Sequence, residues 1–99
     1  MSSFFVSRAA RADLKNIAAY TQKTWGAAQR RAYIKELDVM FHFLAENPLS
    51  GVLCNYIMDG LKKHHHKHHT VFYETVGRSI SIIRVLHKSM DVELQLKNP

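Results

Sequence analysis

Between Ser7 and Asn47 apolar side chains recur at three- and four-residue steps twice over, and only Gly26 interrupts the pattern. Such spacing lines up one face of an α-helix. Ala10, Leu14, Ile17, Ala18, Thr21 and Trp25 make the first stripe, with Arg11, Lys15, Asn16 and Lys23 off it. Tyr33, Ile34, Leu37, Met40, Phe41, Leu44 and Ala45 make the second, on a helix running from Ala27 to Glu46. Ser7 is placed to cap the first helix through its hydroxyl, and Gly26 to break it. Asn47-Pro48 ends the second, because proline pushes the preceding residue out of the α region. Two amphipathic helices on so short a link form an antiparallel hairpin. Its stripes need a further layer to cover them, which must be a sheet. In this reading Trp25 is a core residue and His42, after Phe41, sits at the surface or its boundary.

Strand signals flank the hairpin. Phe4-Phe5-Val6-Ser7 is short, aromatic and β-branched. Leu49 to Asp59 reads as a loop with Ser50-Gly51 as its turn, and strand character returns from Gly60. Val71-Phe72-Tyr73 forms a strand core, Val76-Gly77-Arg78 a turn, and Ser79 to His87 the longest strand, so the last pair is a hairpin. Strict alternation puts Ile80, Ile82, Arg84 and Leu86 on one face and Ile83, Val85 and His87 on the other. Both faces are partly apolar, so this strand is central or covered on both sides. Leu94 to Pro99 reads as a short frayed tail. The resulting fold class is α+β, a helix hairpin on a small antiparallel sheet.

The 99 residues suffice for one domain, residues 1–99, with one modest core. Hydrophobic residues at 46% and charged residues at 22% are a globular composition. No apolar run reaches the ~18 residues of a membrane span, and the first residues do not read as a signal peptide. The single Cys54 cannot form an intrachain disulfide, which favours a reducing cytoplasm. It lies without a nearby His or Asp, so it does not read as a nucleophile. Net charge of +6 favours an acidic partner: nucleic acid, an acidic protein segment or an anionic surface.

Ala12-Asp13-Leu14, Ile17, Tyr20-Thr21, Trp25-Gly26, Leu44-Ala45-Glu46-Asn47-Pro48, Gly51, Gly60-Leu61-Lys62-Lys63, Val71-Phe72-Tyr73 and Arg84-Val85-Leu86-His87-Lys88-Ser89-Met90-Asp91 run in an order that spans nearly the whole chain. This series resembles the ParE toxins, within the wider ParE/RelE superfamily of bacterial toxin–antitoxin systems. The resemblance implies an N-terminal strand, an α-helical hairpin and then antiparallel strands. It also implies a toxin that inhibits DNA gyrase by binding, trapping the gyrase–DNA complex, and that a ParD-like antitoxin silences. No cofactor, small-molecule substrate or membrane enters that picture, and no reaction is catalysed by the toxin itself. One stretch departs from the pattern. Relatives commonly carry an aromatic-Pro-x-Gly-Ser-His turn where this chain has His64-His65-His66-Lys67-His68-His69.

The residues allow several chemistries. Arg84 stands inside an apolar strand, where a guanidinium is expensive without a partner. It reads as a functional contact, as an ion pair with Glu74 across the hairpin, or as a strand-edge arginine in solvent. Arg84, His87, Lys88, Met90 and Asp91 are the first expected partner-binding set, and Lys62, Lys63 and Lys67 the second. The same His87, Arg84 and Lys88 admit an alternative, a RelE-type ribosome-dependent mRNA endonuclease. No tyrosine follows Tyr73, however, and the C-terminal tyrosine of many such nucleases is absent. His87 alternatively closes its strand and bonds locally. A third reading is a non-toxic interaction module. An extended histidine run would point His64, His66 and His68 one way and His65 and His69 the other. It lacks Cys, Asp or Glu to complete a closed metal site, so it reads as a solvated loop rather than a metal centre.

Overall fold

The computed structural model describes residues 3–97. Strand β1 (Phe4–Val6) leads into helices α1 (Arg8–Trp25) and α2 (Ala27–Glu46), joined by Gly26 at φ 97°. Strands β2 (Val52–Leu53), β3 (Lys62–His66), β4 (His69–Val76) and β5 (Ser79–His87) follow, and helix α3 (Val92–Lys97) closes the described chain. The strands form one sheet in the order β1-β5-β4-β3-β2. Neighbours from β2 to β5 are antiparallel, whereas β1 lies parallel to β5. The fold is α+β, and its sheet is mixed because the long return through the hairpin and three strands brings β1 beside the last strand.

The two helices obey the periodicity and the caps. Ser7 Oγ accepts from the Ala10 amide at 3.0 Å and donates to the Ile83 carbonyl at 2.7 Å, so one hydroxyl caps α1 and ties it to β5. Ile17, Tyr33, Leu37, Phe41 and Leu44 bury against Val71, Tyr73, Ile80, Ile82 and Val85 of the sheet. Trp25 does not join them: it is 70% exposed, since the hairpin tip projects past the sheet.

The other sheet face is also covered. Phe72, Leu86, Leu61 and Cys54 form a second cluster, with Ile57, Ile83, Val92 and Leu96 packed against it. Residues 94–97 therefore belong to a helix that docks, in place of a frayed tail. β5 is central, between β1 and β4. Its alternation is broken, because pairing jumps from Phe72↔Arg84 to Tyr73↔Ile82 and leaves Ile83 as an extra residue. The bulge turns Val85 to the helix side with Ile80 and Ile82. Loop 49–59 contains the short edge strand β2. Gly51 is required where it stands: its amide donates to Tyr73 Oη at 2.9 Å, Tyr73 donates to the Pro48 carbonyl at 2.9 Å, and any Cβ would collide with that phenol.

Candidate functional site

Arg84 is held by a carboxylate 71 residues away. Its Nε and Nη2 donate to Asp13 Oδ2 and Oδ1 at 2.7 and 2.8 Å, and its Nη1 donates to the Gln95 carbonyl of α3 at 3.2 Å. Asp13 Oδ2 also accepts from the Val85 amide at 2.9 Å. The geometry follows from topology. β1 pairs with β5 only as far as Val6↔Ile82, so the next amides of that edge lack a strand partner, and Asp13 on α1 takes one of them. The side chains are 16% and 10% exposed, and the fork-to-fork arrangement is the strong form of such a pair. Asp13's hydrogen bond pushes the guanidinium pKa upward against the effect of burial. Neither Glu74 nor solvent is the partner, because the bulge turns this edge toward α1. A carboxylate on the buried stripe of α1, between Ala10 and Ile17, was the signal that identifies it.

The other expected residues separate into two groups. His87 closes β5, where its Nδ1 accepts from the Ser89 amide at 3.1 Å and meets Ser89 Oγ at 2.7 Å. An amide can only donate, so in the neutral ring the proton sits on Nε2. Asp91 Oδ1 accepts from the Leu94 amide at 3.1 Å and caps α3, while Met90 and Lys88 are exposed. Lys62 and Lys63 are half-buried on β3, and Lys67 occupies the β3–β4 turn at φ 54°.

The histidine run is a hairpin, not a loop. His66 pairs with His69 across Lys67-His68, so these two share the helix side of the sheet, contrary to simple alternation. Tyr33 Oη lies 2.6 Å from His69 Nδ1. Burial chiefly, with His87, His68 and His66 nearby, pushes the His69 pKa down to about 4. His66 Nε2 and Lys67 Nζ reach the same Glu36 Oε1 at 2.9 and 2.8 Å. The Lys67 bond holds the Glu36 carboxyl below the usual carboxylate range, aided by His66 and opposed by partial burial. At the same end of the sheet the Lys88 amide donates to the His68 carbonyl at 2.9 Å, and the His69 and His87 rings meet edge-on at 5.4 Å. The fold thus brings Lys67, His68, His69, His87 and Lys88 together and directs Arg84 elsewhere. Among the described residues no three histidine, cysteine or acidic side chains are grouped to hold a metal ion.

A surface not anticipated from sequence lies along the helix hairpin. Leu14, Ala18, Ala19 and Ile34 floor an open groove between α1 and α2. Arg11, Lys15, Lys23, Arg30, Arg31 and Lys35 line it, against a single acidic lining residue, Asp38. Leu14 and Ile34 are stripe residues that the sheet leaves half covered, Ala18 is a buried one, and the exposed Ala19 lies just off the stripe. The groove's rim comes from the off-stripe bases of both helices, which only the hairpin brings into one row.

Comparison with known proteins bears on this arrangement. The family model described as "ParE toxin of type II toxin-antitoxin system, parDE" matches residues 4–92. The chain is 38% identical over 96 residues to Toxin ParE1 of Mycobacterium tuberculosis, covering 96% of this chain and 98% of that one. It is 36% identical over 96 residues to Toxin ParE1 of Caulobacter vibrioides, covering 97% and 99%. With Toxin ParE of Escherichia coli it shares 32% over 99 residues, covering 97% and 94%. A solved chain of the chromosomal ParDE TA system from P. aeruginosa superposes with a TM-score of 0.75 at 18% identity, over 88% of this chain and 96% of that one, which is a likeness of fold.

Proposed function

Because the chain belongs to the ParE toxin family of type II toxin–antitoxin systems, we propose that it acts in the cytoplasm by binding and inhibiting DNA gyrase, and that a ParD-like antitoxin neutralises it. The groove between α1 and α2 is the observation that carries the antitoxin half of this reading. A strip of small and aliphatic side chains flanked by six cations and one carboxylate suits an amphipathic helix with an acidic margin. Such a segment gains apolar burial along the floor and charge pairing along both rims. The gyrase half rests on family membership, and its contact surface is assigned to the sheet: Lys63, His87 and Lys88 around one pocket, with Met90 in the following turn, Lys67 at the β3–β4 turn and Lys62 at the start of β3. Arg84 and Asp91 act as positioning residues for that region, the first by tying β5 to α1 and α3 and the second by capping α3.

The site favours binding over catalysis. Arg84, the cation that the nuclease alternative places beside His87, is not free to stabilise charge on phosphorus, because its Nε, Nη1 and Nη2 are each engaged. His87 is directed to Ser89 and to neighbouring histidine rings.

Purified protein added to a gyrase supercoiling assay is expected to inhibit it and to leave a translated message intact. Adding the cognate antitoxin should restore supercoiling. The pair Arg30→Glu and Arg31→Glu should weaken antitoxin binding at least tenfold, about 1.4 kcal/mol, while inhibition of gyrase persists. Message cleavage with unaffected gyrase would select the nuclease alternative, and neither effect with antitoxin binding retained would select an interaction module.

A further inference from the structure

On the sheet face away from the helix hairpin, a small pocket opens where β3, β4 and the end of β5 meet α3. Phe72 and Leu86 floor it, and Lys63, His65, Thr70 and Lys88 rim it. Cross-strand register explains the grouping. Lys63 stands opposite Phe72, His65 opposite Thr70, and Thr70 opposite Leu86, so all five project to one face. Lys88 arrives from the turn after β5, whose backbone is fixed by the bond from its amide to the His68 carbonyl. The remaining lining residues are His87 and Val92, so none of the lining side chains is acidic.

We propose that this pocket is a binding site for a phosphate group. Its volume, about 140 Å³, matches one tetrahedral anion with its adjoining atoms rather than a whole nucleotide. Two ammonium groups provide charge from opposite rims, and neither has an ion-pair partner among the salt bridges of the described residues. His65 Nδ1 and Thr70 Oγ1 lie 2.9 Å apart and share one hydrogen. Whichever atom donates, a donor remains for an anion: the His65 Nε2–H in one arrangement, the Thr70 hydroxyl in the other. The floor is apolar, with Phe72 and Leu86 each at 1% exposure, so an arriving anion meets rim donors above a low-dielectric floor. The phosphate can be a free ion or part of a nucleic-acid backbone. Lys63, His87 and Lys88 also belong to the surface assigned above to gyrase, but the pocket is argued from its own lining and does not require that assignment.

The test follows Thr70 and His65 resonances by NMR at constant ionic strength while the full chain is titrated with inorganic phosphate, with a short single-stranded DNA, or with acetate. Saturable shifts at these residues with phosphate support a free-ion site. Shifts with DNA alone support a backbone site, and in either case acetate should leave them unmoved. The pair Lys63→Gln and Lys88→Gln should weaken the productive titration at least tenfold while retaining the wild-type circular dichroism spectrum. The pair Arg8→Gln and Arg78→Gln removes the same charge outside the pocket and should weaken it less than twofold. Acetate binding as tightly as phosphate, no saturable shift with either phosphate source, or equal losses in the two charge-matched pairs would overturn the proposal. These readouts contain no gyrase and no antitoxin, so their failure is distinct from failure of the toxin reading.

Discussion

Two charged clusters in this chain are built from similar groups and have opposite characters. At Asp13–Arg84 the side chains are 10% and 16% exposed, three donors converge on one carboxylate, and a strand amide is among them. At Glu36–His66–Lys67 one carboxylate oxygen meets both His66 Nε2 and Lys67 Nζ, but Lys67 remains 51% exposed and Glu36 34%. Water therefore competes at the second cluster and is nearly excluded from the first. The difference shows that the worth of a charge pair lies in what is left behind when it is cut. Cutting the first strands a buried charge, which costs about 3–5 kcal/mol. Cutting the second returns a lysine or a carboxylate to solvent and costs about 0–1 kcal/mol.

Breaking the buried pair should have the largest effect. Arg84→Ala is expected to lower unfolding free energy by ~3–5 kcal/mol in urea titrations, and toxicity should fall through loss of fold. Replacing both partners, as Asp13→Leu with Arg84→Met, should recover part of that loss, although the Val85 amide then lacks its acceptor. An Arg84→Ala protein as stable as wild type would erase the contrast between the clusters.

His69 sharpens the comparison from between them. Its ring takes a proton near the ordinary value of about 6.5 in the unfolded chain, but only near about 4 in the fold. The unfolded state binds more protons across that window. Stability from this group is therefore complete above about pH 6.5 and drains as pH falls toward about 4, by at most ~3 kcal/mol and less with residual solvent screening. Thermal melts from neutral pH downward should show the decline, and His69→Phe should flatten it. Melting temperatures that hold steady between those limits in the wild-type protein would contradict a neutral, buried ring.

The smallest effect belongs to the exposed Lys67 of the second cluster. Lys67→Ala should change stability by under ~1 kcal/mol, and salt should shrink even that. Because Glu36 is held below its usual range, its contribution is present above about pH 4.3 and fades as pH falls below. A loss from Lys67→Ala comparable to that of Arg84→Ala would mean that the turn at Lys67 is the real anchor.

Much of the scaffold was legible residue by residue. Ser7, Gly26 and Asn47-Pro48 marked both helices at the residues where they begin and end, and the five fully turned core positions of α2 lay on the expected stripe. The candidate site was less legible. Arg84 stands out by its apolar neighbours, but its partner lies on another stripe, where Asp13 sits between Ala10 and Ile17. A lone carboxylate on one buried face and a lone guanidinium on another are each costly, and that shared cost was the available clue. Trp25 misled because periodicity reports a face and not how far the covering sheet extends. The basic groove was missed because its charges are divided between two helices that look separately solvated.

By itself the sequence determined the short-range elements: the caps, the helix hairpin, the strand cores and the basic excess. Each depends on side chains within a few positions of one another, whose spacing is written in the chain. Only the tertiary structure decided that β1 runs parallel to β5, that the bulge at Ile83 turns Val85 inward, that α3 seals the far face and that Asp13 receives Arg84. Those outcomes depend on edges left open by one element and filled by another dozens of residues away, and no local pattern records which donor will meet which acceptor.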